Sequence, residues 1–221
     1  MNFGLQSPAQ KVYDGVLNLI SEGKLSPGEH IPTLPLATRF GVSRTPVSEA
    51  LKRLESEGIV RFKAGNGAWL ITPTAEEVRD IYVVRRSLET TALKLAFDNY
   101  KAQDFIEAKK NIELEKIYKE CGDKINCIKV GLDFHLNLLT PCRNTFIIKF
   151  LNSILTTNFA YLILLEYSKQ RLINERPNDH TTLLEYIMAG DIEKSVSFLS
   201  EHIVDSFDIS FPQWKDDSYF K

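Results

Sequence analysis

The second half of the chain contains three histidines, His135, His180 and His202, whose imidazoles could together bind a metal. Gly190-Asp191 lies between the last two, so they fall on consecutive helices that can run antiparallel and bring both imidazoles to one level. His135 comes from an earlier helix. Three neutral imidazoles that converge in a helical core suit a divalent transition metal and leave coordination positions open. The alternative is that each is a hydrogen-bonded core residue.

A second group of polar side chains lies in residues 43–58, which are predicted to form a helix with a buried stripe of Val47, Ala50, Leu51 and Leu54. The side chains off this stripe are Arg44, Thr45, Ser48, Lys52 and Arg53. A DNA major groove about 12 Å wide admits one such helix. Arg44 at its N-terminus could reach guanine, and the free amides there could take a phosphate. The alternative is an ordinary solvated face on a small helical domain.

The elements around this helix predict a winged helix-turn-helix. A short helix that begins near Thr33 and ends at Gly41 precedes it, and residues 59–63 and 68–71 form a hairpin after it. Gly65, Asn66 and Gly67 make the hairpin turn and would let the wing backbone approach a duplex closely. Thr33 and either Ser43 or Thr45 are predicted to cap the two helices.

Composition is that of a folded globular protein. The 221 residues are 43% hydrophobic and 25% charged, which is enough chain for two domains. The three cysteines form no CxxC pair, and this favours a reducing cytoplasm over a disulfide framework. The N-terminus does not resemble a signal peptide, and the most apolar run, residues 159–165, is far shorter than the ~18 residues of a membrane span. We expect no membrane association.

Glycine and charge divide the chain near Thr72-Pro73-Thr74. Eight of eleven glycines lie in residues 1–67, and residues 1–72 carry eight Lys/Arg against six Asp/Glu, whereas the rest carries nineteen against twenty-three. The expected fold is mainly α, with a winged helix-turn-helix and small β-hairpin in residues 1–73 and an all-α antiparallel helical bundle in residues 74–207. Residues 208–221 are expected to be a loose tail. The predicted helices of the bundle span residues 75–99, 102–120, 124–140, 144–169, 177–189 and 191–207.

These motifs resemble a known family. Residues 23–60, with the strings SRTPV, EAL, RLE and EG, resemble the winged helix of the GntR family. The helical half resembles that family's FCD (FadR C-terminal domain) branch, and the resemblance covers about residues 10–205. The matching residues of the helical half are Arg85-x-x-Leu88-Glu89, Phe134-His135 followed by Asn144, His180 with Ala189-Gly190-Asp191, and His202.

The FCD resemblance implies that the three histidines bind a metal, next to a cavity for a small carboxylate effector that Arg85 could help to bind. An alternative for Arg85 is an ion pair with Glu89 at i+4, and Asn144 is expected to cap a helix. The family usually has an aspartate where this chain has Gly131, and Asp133 should lie on another helical face. Without that carboxylate, zinc or nickel is favoured over harder cations.

The DNA-contacting half also departs from the family pattern. Ser48 and Asn66 stand where the family often has arginine, so Arg44, Thr45 and Lys52 are expected to carry more of the DNA recognition.

Together these features predict a ligand-responsive transcription regulator rather than an enzyme. We expect a cytoplasmic homodimer that binds a palindromic double-stranded DNA operator, acts as a repressor and senses a small organic acid. One alternative is a metal-free sensor of the same architecture. The other is a three-histidine metal hydrolase. Against it, no motif places a general acid or base beside the histidines, since Asp179 and Glu201 are merely adjacent to them in sequence.

Overall fold

The computed structural model describes residues 7–166 and 179–214. These residues form two compact units. The first contains residues 7–73 and the end of one long helix from Ala160, and the second contains residues 74–159 and 179–214. The expected fold class, a winged helix-turn-helix with an all-helical second part, is confirmed.

The first unit contains three helices and a small antiparallel sheet of three strands, β1 (His30–Ile31), β2 (Val60–Lys63) and β3 (Gly67–Leu70), in the order β1-β3-β2. Lys63 on β2 pairs with Gly67 on β3, and Ile31 on β1 pairs with Ala68. The two-residue strand β1 was not predicted, because so short a segment carries no alternating pattern. The helices are α1 (Pro8–Ser21), which precedes β1, and α2 (Thr33–Phe40) and α3 (Arg44–Ser56), which follow it.

The turn between α2 and α3 depends on Gly41, whose φ of 65° lies in the left-handed region that favours glycine. The predicted caps were only partly right. Thr33 is the first residue of α2 rather than its cap, and Ser43 stands at the N-cap position of α3 without a side-chain capping hydrogen bond. Close packing of α1 also needs Gly15, because a Cβ there would overlap the Phe40 ring.

The second unit is entirely helical in the residues described. Thr74 caps its first helix through a reciprocal capping box with Glu77. Residues 97–99, 140–142 and 212–214 form single 3-10 turns. Residues 167–169 of the predicted helix 144–169 lie outside the described residues. The helices that begin in this unit are α4 (Ala75–Ala96), α5 (Ala102–Glu120), α6 (Lys124–Leu139), α7 (Thr145–Glu166), α8 (Asp179–Met188) and α9 (Ile192–Ser210).

The core between α4 and α9 is aromatic. The Tyr82 ring on α4 lies edge-on to Phe207 and Phe211, with centroid distances of 5.3 and 6.0 Å. The expectation that a loose tail begins at Asp208 is corrected here, since α9 continues to Ser210 and Phe211 is fully buried. Burial of the Phe211 ring stabilises this extension beyond the predicted end of the helix.

One helix among the residues described is apolar enough to span a membrane by length and composition alone. It covers Thr145–Leu164, with a mean hydropathy of 1.5. Counting only uninterrupted apolar residues missed it, because serine, threonine and asparagine interrupt the run. A buried core helix passes the same test, so this helix by itself is weak evidence for a membrane.

We predict that Phe207→Ala lowers the free energy of unfolding by about 3–5 kcal/mol, because it leaves a cavity in the aromatic core. Urea unfolding followed by far-ultraviolet circular dichroism would measure the change. Phe146→Ala is the matched control, since that ring is 70% exposed and its loss should change little. Equal effects of the two variants would contradict the packing described.

Candidate nucleic-acid interface and metal centre

Helix α3 is held by one face and offers the other to solvent. Val47, Ala50, Leu51 and Leu54 are buried against the first unit. Every polar residue that the sequence assigned to DNA on this helix is exposed, namely Arg44, Thr45, Ser48, Lys52 and Arg53. The polar face of a helix that follows a tight turn can therefore enter a groove without disturbing the core.

Arg53 differs from the other exposed residues because its guanidinium already has partners within the protein. Its Nε lies 3.0 Å from Glu57 Oε1, and its Nη1 donates to Gln10 Oε1 at 2.7 Å. The group also lies 3.8 Å from the centroid of the Tyr13 ring, whose hydroxyl donates to Glu57 at 2.6 Å. Through these contacts Arg53 connects α3 to α1. Contact of Arg53 with a DNA phosphate would have to compete with them.

The wing contains basic residues that the sequence analysis overlooked. His30 and Arg61 are both cross-strand partners of Trp69, so the three share one face of the sheet. The Lys63 ammonium lies 4.2 Å from the centroid of the Trp69 ring. At the tip, Gly65 has a φ of 74°, and Gly65, Asn66 and Gly67 are exposed as the wing model requires. The basic strand positions next to an Asn-Gly turn were the signal available in the sequence.

The three histidines meet inside the second unit. His135 comes from α6, His180 from α8 and His202 from α9. The Nε2 atom of His135 lies 3.2 Å from Nε2 of His180 and 3.3 Å from Nε2 of His202. Such separations are close to the ~3.4 Å between ligand atoms of a tetrahedral site with Zn–N bonds of ~2.0–2.1 Å.

Each imidazole has a carboxylate behind it, on the side away from the cluster. His135 Nδ1 lies 2.7 Å from Glu89 Oε2, and His180 Nδ1 lies 2.7 Å from Glu115 Oε2. His202 Nδ1 lies 3.5 Å from Asp179 Oδ2, which is a longer and weaker contact. These carboxylates favour a proton on Nδ1 and therefore leave the Nε2 lone pairs directed at one another. A cation between those lone pairs would relieve their repulsion, so the donor set fits a metal.

Burial keeps His135 and His202 in the neutral state that a metal ligand needs. It lowers the pKa of His135 despite the opposing effect of Glu89, and it lowers the pKa of His202 to about 3 despite the hydrogen bond to Asp179. Burial would raise the pKa of Glu89, but Arg85 and His135 outweigh it and hold that pKa well below its usual range. His135 and His202 are thus neutral and Glu89 is ionised near pH 7.

Arg85 lies behind the cluster rather than at the protein surface. It is 1% exposed, and its Nε lies 2.8 Å from Glu89 Oε1, which confirms the i+4 ion pair offered as the alternative. Its role toward an effector stays a prediction. Asn144 caps α7 as expected, since its Oδ1 accepts from the amides of Phe146 and Ile147 at 3.2 and 3.1 Å.

Gly131 and Asp133 lie where the helical spacing predicts. A Cβ at Gly131 would lie 3.5 Å from Cε1 of His180, so the position faces the histidine cluster. Asp133 is half-buried on another face of α6, and burial raises its pKa. Among the described residues, the converging donor group contains the three histidines without Asp133.

Comparison with known proteins assigns the chain to a class. The family model for gntR-family bacterial regulatory proteins matches residues 8–70, and the FCD domain model matches residues 80–205. The chain therefore belongs to the GntR family of bacterial regulatory proteins, which are DNA-binding transcription regulators and not enzymes. Its helical part is an FCD domain, a type of domain that binds small-molecule effectors and can bind metals. The resemblance seen in the sequence is confirmed.

Individual relatives agree with this assignment. The chain is 31% identical over 147 residues to the HTH-type transcriptional regulator YdhC of Bacillus subtilis, covering 65% of this chain and 66% of that one. It is 28% identical to the Nta operon transcriptional regulator of Aminobacter aminovorans, covering 82% and 84%. Among solved structures, Escherichia coli McbR/YncC has the same fold, with a TM-score of 0.72, 24% identity and coverage of 96% and 100%.

We predict that the metal-free protein loses stability as the pH falls below the ordinary histidine value of 6.5. The unfolded chain takes up a proton on residue 202 near that pH, whereas the folded protein does so only near pH 3. This stability is present above pH 6.5 and should fall by up to about 2 kcal/mol between about pH 8 and about pH 5. Urea unfolding across that range in the presence of a chelator would measure the loss. An equally steep profile for His202→Gln would contradict this assignment.

Proposed function

We propose that the protein is a cytoplasmic homodimeric repressor that binds a palindromic DNA operator and releases it when a small organic acid binds near a histidine-bound metal. Residues 1–73 serve as the DNA-binding domain and residues 74–207 as the effector-binding and dimerisation domain. The observation that carries the metal-dependent part is the contact of three Nε2 atoms at 3.2 and 3.3 Å with a carboxylate behind every ring.

DNA recognition is assigned to α3 and the wing. Arg44 and Thr45 stand at the exposed N-terminus of α3 and Ser48 and Lys52 follow on the same solvent side, which supports major-groove contact. Arg53 is placed last in this set because it is bonded to α1. The wing tip, formed by Gly65, Asn66 and Gly67, lies against the DNA backbone in this arrangement. The basic strand residues Arg61 and Lys63 add phosphate contacts beside the tip.

The metal is assigned to His135, His180 and His202. An all-imidazole donor set suits zinc or nickel, and three protein ligands leave positions open for a carboxylate. When bound, the metal supplies a Lewis-acidic centre that attracts an anionic effector. Arg85 keeps Glu89 ionised, and Glu89 in turn orients His135. Arg85 therefore contributes to effector binding indirectly, through the orientation of His135.

We expect Arg44→Ala to weaken specific DNA binding by about 5- to 150-fold, because a guanidinium–guanine pair is worth about 1–3 kcal/mol. The duplex would be selected from random sequences with the purified wild-type protein and then used in gel-shift titrations. Lys109→Ala is the matched control, since it removes one exposed positive charge from the second unit. Equal affinities for wild type and Arg44→Ala would overturn the role of Arg44.

For the metal, protein purified without a polyhistidine tag should bind about one zinc or nickel ion per chain by elemental analysis. Joint replacement of His135, His180 and His202 by glutamine should abolish this binding while gel-shift affinity for the selected duplex stays measurable. Candidate organic acids would then be tested for release of DNA by both proteins. A full effector response in the triple variant would favour the metal-free sensor.

A further inference from the structure

Glu115 reaches the histidine cluster from α5, a helix that supplies no histidine. Its Oε2 lies 2.7 Å from Nδ1 of His180 on α8, and α5 packs on both α6 and α8. The segment of α6 beside this contact carries Gly131. The carboxylate lies so close to α6 that a Cβ at residue 131 would be 3.2 Å from Glu115 Oε1.

At Gly131, neighbouring groups occupy the space that a side chain would fill. Glycine weakens a helix interior relative to alanine, and Gly131 does not have the positive φ that would require it. The space above its Cα is filled by the two groups that contact each other, the Glu115 carboxylate and the His180 ring. A methyl group would lie at the tight end of van der Waals contact with Oε1 and in ordinary contact with Cε1 of His180 at 3.5 Å.

We propose that Glu115 is the positioning residue of His180 and that Gly131 is the opening that lets its carboxylate reach the ring. The inference rests on the proposed metal site. Glu115 holds the imidazole with Nδ1 protonated and Nε2 turned toward His135, so that the lone pair is ready for a metal. Gly131 and Glu115 therefore act as a coupled pair, in which the small residue on α6 makes room for the acid on α5.

The burial of the contact supports a role beyond that of a surface acid. The Glu115 side chain is 26% exposed and that of His180 is 10% exposed, so the bond between them is mostly removed from water. Carboxylates behind metal-binding histidines fix the tautomer and the ring orientation, and their loss costs about 10–100-fold in metal affinity.

Zinc affinity would be measured by competition with a chromophoric chelator. We expect Glu115→Ala to weaken zinc binding by about 10–100-fold. Glu115→Gln keeps an acceptor for the Nδ1 proton without the charge and should fall between Glu115→Ala and wild type. Glu113→Gln is the matched control, because this exposed glutamate lies on the same helix and should leave affinity unchanged. Wild-type affinity in Glu115→Ala would overturn the proposal.

A double-mutant cycle tests the coupling with Gly131. In the wild-type background, Gly131→Ala should weaken zinc binding several-fold even though alanine is the better helix former, because the methyl group displaces the carboxylate. In the Glu115→Ala background the same substitution should have no effect on zinc affinity. Additive losses would show that Gly131 acts independently of Glu115 and would contradict the pairing.

A metal-free measurement separates this inference from the proposed function. In protein labelled with nitrogen-15 histidine and treated with a chelator, nuclear magnetic resonance should show His180 as the Nδ1–H tautomer in wild type. Glu115→Ala should lose this preference. If wild type binds no zinc while the tautomer still depends on Glu115, the metal assignment fails and the positioning role holds. An unchanged tautomer in Glu115→Ala would overturn the positioning role.

Discussion

The organisation of the helical unit depends on how three imidazoles can share one small volume. Their Nε2 atoms stand 3.2 and 3.3 Å apart, a spacing at which lone pairs repel unless a cation or a proton lies between them. The protein holds that arrangement from outside, with Glu89, Glu115 and Asp179 contacting the opposite edges of the rings. The histidines and carboxylates come from five helices, α4, α5, α6, α8 and α9. The cluster therefore forms only when these five helices pack in the correct relative positions.

Charge inside this unit is balanced in a chain of contacts. Arg85 is buried and compensates Glu89, and Glu89 in turn lies against His135. A buried carboxylate without such a cation would be strongly destabilising, whereas a compensated one can orient a neutral ring. Because burial lowers the pKa of His135 and keeps that ring uncharged near pH 7, Arg85 is the cation on which Glu89 depends. The arrangement of the proposed metal site thus depends on the residues around the three histidines as well as on the histidines themselves.

The winged-helix unit follows a different rule, in which one face of α3 packs and the other stays free. Exposed groups here include the residues at the N-terminus of α3 and also Arg53, which is bonded to Gln10 and Glu57. An exposed guanidinium can therefore stabilise the packing of α1 on α3 instead of binding a ligand. The wing adds a row of His30, Trp69 and Arg61 that only the strand register brings together.

Local patterns in the sequence were enough for the helices, the hairpin and the family, because periodicity, caps and turn residues act over a few positions. The buried stripe of α3, the cap at Asn144 and the Arg85–Glu89 pair at i+4 are all of this kind. The strand β1, the end of α9 and the partners of the histidines were decided by tertiary structure. Each depends on contacts between residues far apart in the chain. Phe211 packs on Tyr82, and Glu115 contacts His180 next to Gly131. Sequence spacing carries no information about which helix will pack behind a given ring, and here that packing places a carboxylate behind each of the three imidazoles.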